Sequence, residues 1–67
     1  MKGLVHLTAR EQEIASLAAA GLTNKQIGQH LYLSPRTVSS HLYRLFPKLG
    51  VSRRAGLRDA LTALTSH

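Results

Sequence analysis

The fold is decided by residues 32–38, Tyr32-Leu33-Ser34-Pro35-Arg36-Thr37-Val38, because this stretch holds both a turn and a helix start. Serine is a favoured N-cap, since its hydroxyl accepts a hydrogen bond from the first turn, and proline fits the first helical position. Only about three residues separate this start from the preceding helical pattern. A connection this short forces two helices to cross steeply, which predicts a helix-turn-helix.

The helix that begins at Pro35 has its apolar residues at helical spacing, which indicates one buried stripe. These residues are Val38, Leu42, Leu45 and Leu49. Pro47 lies within the pattern and lacks an amide donor, so we expect it to kink or end the helix near Phe46. Gly50 then turns the chain.

Two earlier helices are predicted from capping boxes, in which a hydroxyl residue and a Glu or Gln three positions later cap each other's backbone. Thr8 forms such a box with Glu11, and Thr23 forms one with Gln26. Gly21 ends the first of these helices.

A fourth helix is predicted to open at Ser52 or Arg53, and its apolar stripe consists of Leu57, Ala60, Leu61 and Leu64. No stretch shows the alternation of a strand. The predicted fold class is therefore all-α, a four-helix bundle-like domain containing a helix-turn-helix. We assign residues 7–65 to this domain and residues 1–6 to a tail or the end of a linker.

The charge of the chain favours a polyanionic partner. The 67 residues include nine Lys and Arg against three Asp and Glu, a net charge of +6, and no acid occurs between Glu13 and Asp59. Such asymmetry is typical of nucleic-acid binding or of an anionic membrane surface, although it also occurs on solvated faces. The chain has no cysteine, no signal region and no apolar run of membrane-spanning length, so we expect a cytoplasmic location and no membrane partner.

Enzymatic and metal chemistry are disfavoured. Ser34 or Ser39 with His41 offers a nucleophile and a base, but the middle of the chain has no acid to orient the imidazole. The histidines show no metal-ligand spacing. His41 is interpreted as a locally packed ring, with a phosphate contact as the alternative. We expect no catalytic residue, no metal, no cofactor and no small-molecule ligand.

The third helix begins with a small, polar and basic outward face. Its members are Arg36, Thr37, Ser39, Ser40 and Tyr43. A helix fits the DNA major groove when nothing acidic faces the phosphates and its side chains are short or can bond base edges. This pattern predicts binding to double-stranded DNA.

Four motifs occur in a consistent order along the chain. They are Leu7-Thr8-x-Arg10-Glu11, Gly21-x-x-Asn24-Lys25-x-Ile27, Leu31-x-x-Ser34-x-x-Thr37-Val38-x-x-His41 and Lys48-Leu49-Gly50-Val51. With them, the sequence from Leu7 to about Leu61 resembles the DNA-binding domain of LuxR/FixJ-type, or GerE-like, bacterial transcription regulators. The resemblance implies that the second and third helices form the DNA-binding unit, with the third in the major groove.

The resemblance also implies roles for individual residues. Base contacts are expected from Arg36, Ser39, Ser40 and Tyr43. Phosphate contacts are expected from Lys25, Thr37, Arg44 and Lys48, which flank the groove face. A weak homodimer contact is expected from Leu57, Ala60, Leu61, Ala63 and Leu64, because the fourth helix commonly supplies it in the family. The hypothesis is a sequence-specific DNA-binding module that regulates transcription; the alternative is a protein-interaction module whose basic face binds an acidic partner.

The sequence departs from the family pattern at three positions. Pro47 stands where many members have an ordinary helix former, which affects the expected length of the third helix. Ser39 stands where many members have lysine, which shortens or removes one contact to DNA. Arg53 stands where a hydroxyl residue often starts the fourth helix, so we expect Ser52 to cap it instead. Members usually carry a sensory or phospho-receiver domain before this module, so the chain is either a separated effector domain or a stand-alone regulator.

Overall fold

The computed structural model describes residues 7–65, with side chains up to Ala63, so the predicted tail at residues 1–6 lies outside the described residues. The elements in chain order are α1 (Ala9–Ala19), α2 (Asn24–Leu31), α3 (Pro35–Leu49), a single 3-10 turn (Arg54–Gly56) and α4 (Leu57–Thr65). The described part contains four α-helices and no strand, which confirms the predicted fold class. None of these helices has the length and apolar character needed to cross a bilayer.

The first two helices start as their capping boxes predicted. The Thr8 hydroxyl accepts the Glu11 amide at 3.1 Å, and the Glu11 carboxylate accepts the Thr8 amide at 3.0 Å. Thr23 and Gln26 make the same reciprocal pair at the start of α2, with distances of 3.1 and 2.8 Å. Each box satisfies amides that have no partner inside the helix.

The helix-turn-helix is formed by α2, a three-residue connection and α3. The Ser34 hydroxyl caps α3 by accepting the Thr37 amide at 3.1 Å, and Pro35 takes the first helical position. These features confirm the predicted start of α3. Within the connection, Tyr32 has a left-handed backbone with φ 60° and ψ 44°, and its side chain is 95% exposed.

Gly28 allows α2 to meet the turn that follows it. The Leu33 amide donates to the Gly28 carbonyl at 2.8 Å. A Cβ added at Gly28 would collide with the Leu33 carbonyl oxygen. Because backbone cannot move aside as a flexible side chain can, the close approach requires glycine here.

Two of the predicted helix boundaries are wrong. The first is one of the two outcomes expected at Pro47, an end of α3 near Phe46; the other outcome, a kink, stays a prediction. The helix continues through Pro47 to Leu49. Proline this close to the C-terminus removes one helical hydrogen bond, and the final turn is closed by other bonds. The Gly50 amide donates to the Pro47 carbonyl at 3.1 Å, and the Val51 amide donates to the Phe46 carbonyl at 3.0 Å.

The second wrong boundary is the start of the fourth helix. Neither Ser52 nor Arg53 caps α4, which begins only at Leu57 after the 3-10 turn. Arg54, the first residue of that turn, is bonded to the connection between α1 and α2. The Gly56 amide donates to the Arg53 carbonyl at 3.0 Å, which closes the tighter turn of residues 54–56, and α4 follows it.

The core is small and receives side chains from all four helices. Its buried members are Ile14, Ala15 and Ala18 from α1, Ile27 from α2, Val38, Leu42 and Leu45 from α3, and Leu57 from α4. Since α3 contributes three of these on one side, its opposite side is directed away from the protein.

Candidate nucleic-acid interface

The outward side of α3 has five exposed side chains that together line one shallow depression. They are Arg36, Ser39, Ser40, Tyr43 and Arg44, and we call them the α3 polar face. Tyr43 is 81% exposed although it is a large aromatic residue. The face holds two guanidinium groups, three hydroxyls and no acid, so it can donate to and accept from base edges or phosphates. All four predicted base-contact residues are thus brought together.

Thr37 lies beside this face, half-buried in the first turn of α3. Its hydroxyl is 2.9 Å from the hydroxyl of Ser34. Ser34 also accepts the Thr37 amide, and either hydroxyl can be the donor in the bond between the two side chains. The Thr37 hydroxyl therefore keeps hydrogen-bonding capacity for a contact outside the protein.

Lys25 and Arg44 are exposed, and neither makes a hydrogen bond or ion pair with another described residue. Lys25 occupies the second position of α2. The amides at a helix N-terminus have no acceptor inside the helix and carry partial positive charge. Lys25 therefore adds a full charge to an end of α2 that already attracts anions.

Lys48 is placed differently from the other predicted phosphate contacts. Its ammonium donates to both carboxylate oxygens of Glu11, at 2.9 and 3.1 Å, and so joins the end of α3 to the start of α1. Glu11 is only 6% exposed. The Lys48 hydrogen bond, followed by that from the Thr8 amide, lowers the pKa of Glu11 below its ordinary value of 4.5. A phosphate contact by Lys48 stays a prediction, and DNA would have to share its ammonium with Glu11.

Arg54 was not predicted to have a role, although it contacts the start of α2. Its guanidinium donates to the Asn24 side-chain oxygen at 2.6 Å and to the Leu22 carbonyl at 2.5 Å. Asn24 and Arg54 also line a groove that continues to Ser39 and Tyr43. The pair therefore borders the α3 polar face.

The predicted dimer residues of α4 differ in their access to solvent. Leu57 is fully buried in the core, and its predicted contact with a second copy stays a prediction. Ala60 and Leu61 are half-buried, and Ala63 is exposed. Leu64 belongs to α4, but its side chain lies outside the described residues.

Two further predictions concern histidine. His41 is half-buried on α3, and its charge contributes to the lowered pKa of Glu11. Within residues 7–63, no group of three or more His, Asp and Glu side chains could hold a metal ion.

Comparison with known proteins assigns the sequence of this chain to a family. The sequence profile described as "Bacterial regulatory proteins, luxR family" matches residues 5–60. The chain belongs to the LuxR family of bacterial regulatory proteins. The resemblance deduced from the four motifs is thereby confirmed. A search of solved structures returned no significant match.

Three LuxR-family relatives show how the match is distributed. A protein of Mycobacterium bovis named as an HTH-type transcriptional regulator, Mb0914c, is 41% identical over 58 residues, covering 87% of this chain and 7% of the relative. Transcriptional regulatory protein LiaR of Bacillus subtilis is 48% identical over 48 residues, covering 72% of this chain and 23% of LiaR. YhjB of Escherichia coli, named as an HTH-type transcriptional regulator, is 44% identical over 54 residues, covering 81% of this chain and 27% of YhjB. The chain thus spans less than a third of each relative.

Proposed function

We propose that this LuxR-family domain is a sequence-specific module that binds double-stranded DNA in a bacterial, cytoplasmic transcription regulator, with α3 in the major groove. The observation that carries the proposal is the α3 polar face, where hydrogen-bonding side chains are exposed together without an acid. The names of the relatives, which describe transcriptional regulators, support the same function.

Within the α3 polar face, the chemistry suits different contacts. The Arg36 guanidinium can donate two hydrogen bonds to guanine, which is the commonest specific contact in the major groove. Ser39 and Ser40 can donate or accept, so they discriminate weakly and can act through water. Tyr43 offers an aromatic ring for thymine methyl groups together with a hydroxyl for a base edge or phosphate. Specificity would therefore depend most on Arg36 and Tyr43.

Phosphate contacts would hold α3 in register on the duplex. Lys25 at the start of α2, Thr37 at the start of α3 and Arg44 at the edge of the polar face would bind the sugar-phosphate backbone. Each neutralised phosphate releases condensed counterions, so affinity should fall steeply as salt rises.

A homodimer formed through α4 would let two copies bind two half-sites related by two-fold symmetry. Exposed Ala63 and half-buried Ala60 and Leu61 are solvent-accessible members of the predicted contact, and Leu64 also belongs to it. Small residues such as Ala60 and Ala63 permit two helices to approach closely. Because the exposed apolar area is modest, the contact would be weak in free protein and stronger on DNA.

The deciding experiment selects preferred duplexes from a random DNA pool and then titrates variants at one salt concentration. Arg36→Ala and Tyr43→Ala should change which sequences are preferred, with a loss of about 1–3 kcal/mol on the favoured duplex. Lys25→Ala should weaken binding to all duplexes about equally and reduce the salt slope by about one unit.

Arg58→Ala is the matched control, because Arg58 is an exposed arginine on α4, away from the α3 polar face. It should leave sequence preference unchanged. If Arg36→Ala, Tyr43→Ala and Lys25→Ala all lower affinity by one factor on every duplex, α3 does not read sequence. A wild-type domain that selects no sequence and responds little to salt contradicts the DNA-binding proposal itself.

A further inference from the structure

We propose that Arg54 is a positioning residue for DNA binding, because it holds the start of α2, and with it Lys25, in place beside the α3 polar face. This inference rests on the proposed function and adds to it a residue that makes no contact with DNA. The observation is the forked hydrogen bond from one guanidinium to two acceptors on either side of the α2 N-cap.

The two acceptors lie at Leu22 and Asn24, and the donor is 30 or more residues away in the chain. The planar guanidinium presents two donors in a fixed geometry, so bonds to two acceptors fix both the position and the direction of the segment between them. Arg54 is itself held by the turn that enters α4, where Leu57 is fully buried. The start of α2 is thereby attached to the turn that leads directly to Leu57 in the core.

The remaining contacts of the α2 start restrain it less directly. Its capping box joins residues of one helical turn, so it shapes that turn without fixing where the turn lies relative to α3. Ile27 anchors α2 in the core one turn later. Asn24 has its side-chain oxygen bonded to Arg54 and is directly followed by Lys25. Loss of the Arg54 bonds would therefore leave α2 attached through Ile27 but remove the tie at Asn24, so that Lys25 could be displaced.

The groove between the two helices supports this interpretation. Asn24 and Arg54 line one side of it, and Ser39 and Tyr43 of the α3 polar face line the other. A duplex bound by α3 would thus pass close to the Asn24–Arg54 pair. Hydrogen bonds to phosphate need donor and acceptor within about 3 Å, so a small displacement of Lys25 is enough to break one.

The experiment is a double-mutant cycle on the selected duplex, with a dissociation constant and a thermal melt measured for every variant. Arg54→Ala should weaken binding about tenfold in the wild-type background. In the Lys25→Ala background the same change should cost less than about threefold, because the positioned contact is already absent. In the Arg44→Ala background it should again cost about tenfold.

Two variants separate the forked bond from the charge. Arg53→Ala is the matched control, because Arg53 is an exposed arginine one residue away that makes no side-chain cap, and it should cost less than about threefold. Asn24→Ala keeps the guanidinium but removes one acceptor, and it should weaken binding about fivefold. If Arg54→Ala melts below the assay temperature, Asn24→Ala tests the same hydrogen bond in its place.

Equal losses for Arg54→Ala in the Lys25→Ala and Arg44→Ala backgrounds would overturn the inference, because a residue that only stabilises the fold behaves in that way. An Asn24→Ala variant of wild-type affinity would also overturn it, and would indicate that Arg54 touches phosphate directly. Failure of the wild-type domain to select any duplex is a separate result, which refutes the proposed function rather than the role of Arg54.

Discussion

Replacing Lys48 with methionine tests the bridge between the end of α3 and the start of α1. Methionine keeps a long apolar stem but removes the ammonium that donates to both oxygens of Glu11. Glu11 is 6% exposed and would keep only its bond from the Thr8 amide. The substitution therefore leaves a buried carboxylate with much of its charge uncompensated.

The cost follows from two opposing effects. Breaking a buried ion pair from one side destabilises by about 3–5 kcal/mol, because the remaining charge stays buried. The Lys48 side chain is 42% exposed, however, so water already competes for its ammonium and screens the pair. We expect a loss of about 2 kcal/mol in the free energy of unfolding. At a slope of about 1 kcal/mol per molar urea, the unfolding midpoint falls by about 2 M.

The pH dependence gives a second check. The pKa of Glu11 is lowered in the folded state, so the bridge stabilises the protein fully above about 4.5 and loses this effect as the pH falls through the folded-state pKa. The difference in free energy of unfolding between wild type and Lys48→Met should therefore be largest at neutral pH and narrow as the pH falls below about 4.5 and through the folded-state pKa of Glu11. Lys25→Met is the control, since Lys25 is exposed and has no described partner. The reasoning would be refuted if the stability difference between wild type and Lys48→Met did not change with pH. It would also be refuted if Lys25→Met lowered the free energy of unfolding as much as Lys48→Met.

Three other substitutions have definite expected outcomes. Tyr32→Gly should raise the free energy of unfolding by about 1 kcal/mol and the melting temperature by about 4–8 °C, because glycine adopts the left-handed backbone without steric cost. The control, Tyr32→Ala, should give no such gain in stability. Gly28→Ala should lower the free energy of unfolding, measured by urea titration, by about 2–3 kcal/mol, because the added Cβ meets the Leu33 carbonyl. The control, Gln29→Ala at the exposed neighbouring position, should hardly change this free energy. Ala63→Glu should leave the melting temperature unchanged and weaken binding to a duplex with two half-sites more than to one with a single half-site; unchanged cooperativity would show that α4 is not the dimer contact.

The starts of α1, α2 and α3 could be predicted from sequence because their causes are local. Thr8, Thr23 and Ser34 each bond to an amide three residues later, and that spacing is visible in the sequence. The α3 polar face could be predicted for a similar reason, since helical periodicity alone separates its members from the apolar stripe. Tyr32 shows the limit of this reasoning, because a left-handed backbone at a non-glycine residue follows from the geometry of the whole turn.

The long-range bonds could not be predicted, because nothing local relates their partners. Lys48 and Glu11 are 37 residues apart, and Arg54 and Asn24 are 30 apart. One signal for the first pair was present: Glu11 lies three and seven positions before Ile14 and Ala18, on the stripe that packs inward. A carboxylate on such a stripe needs a cation, but the sequence does not indicate which of nine basic residues supplies it.

The unequal burial along α4 predicts a gradient in amide hydrogen exchange. Leu57 in its first turn is fully buried, Leu61 one turn later is half-buried, and Thr62 and Ala63 are exposed. Opening the start of this helix requires Leu57 to leave the core, whereas opening the turn from Leu61 to Ala63 moves side chains that are already half-buried or exposed. The amides of Thr62 and Ala63 should therefore exchange faster in the isolated domain than those near Leu57, which should be protected almost as long as the amides of α3. Association through the exposed end would slow the fast amides selectively, so the exchange profile of α4 would report the oligomeric state without any change in fold.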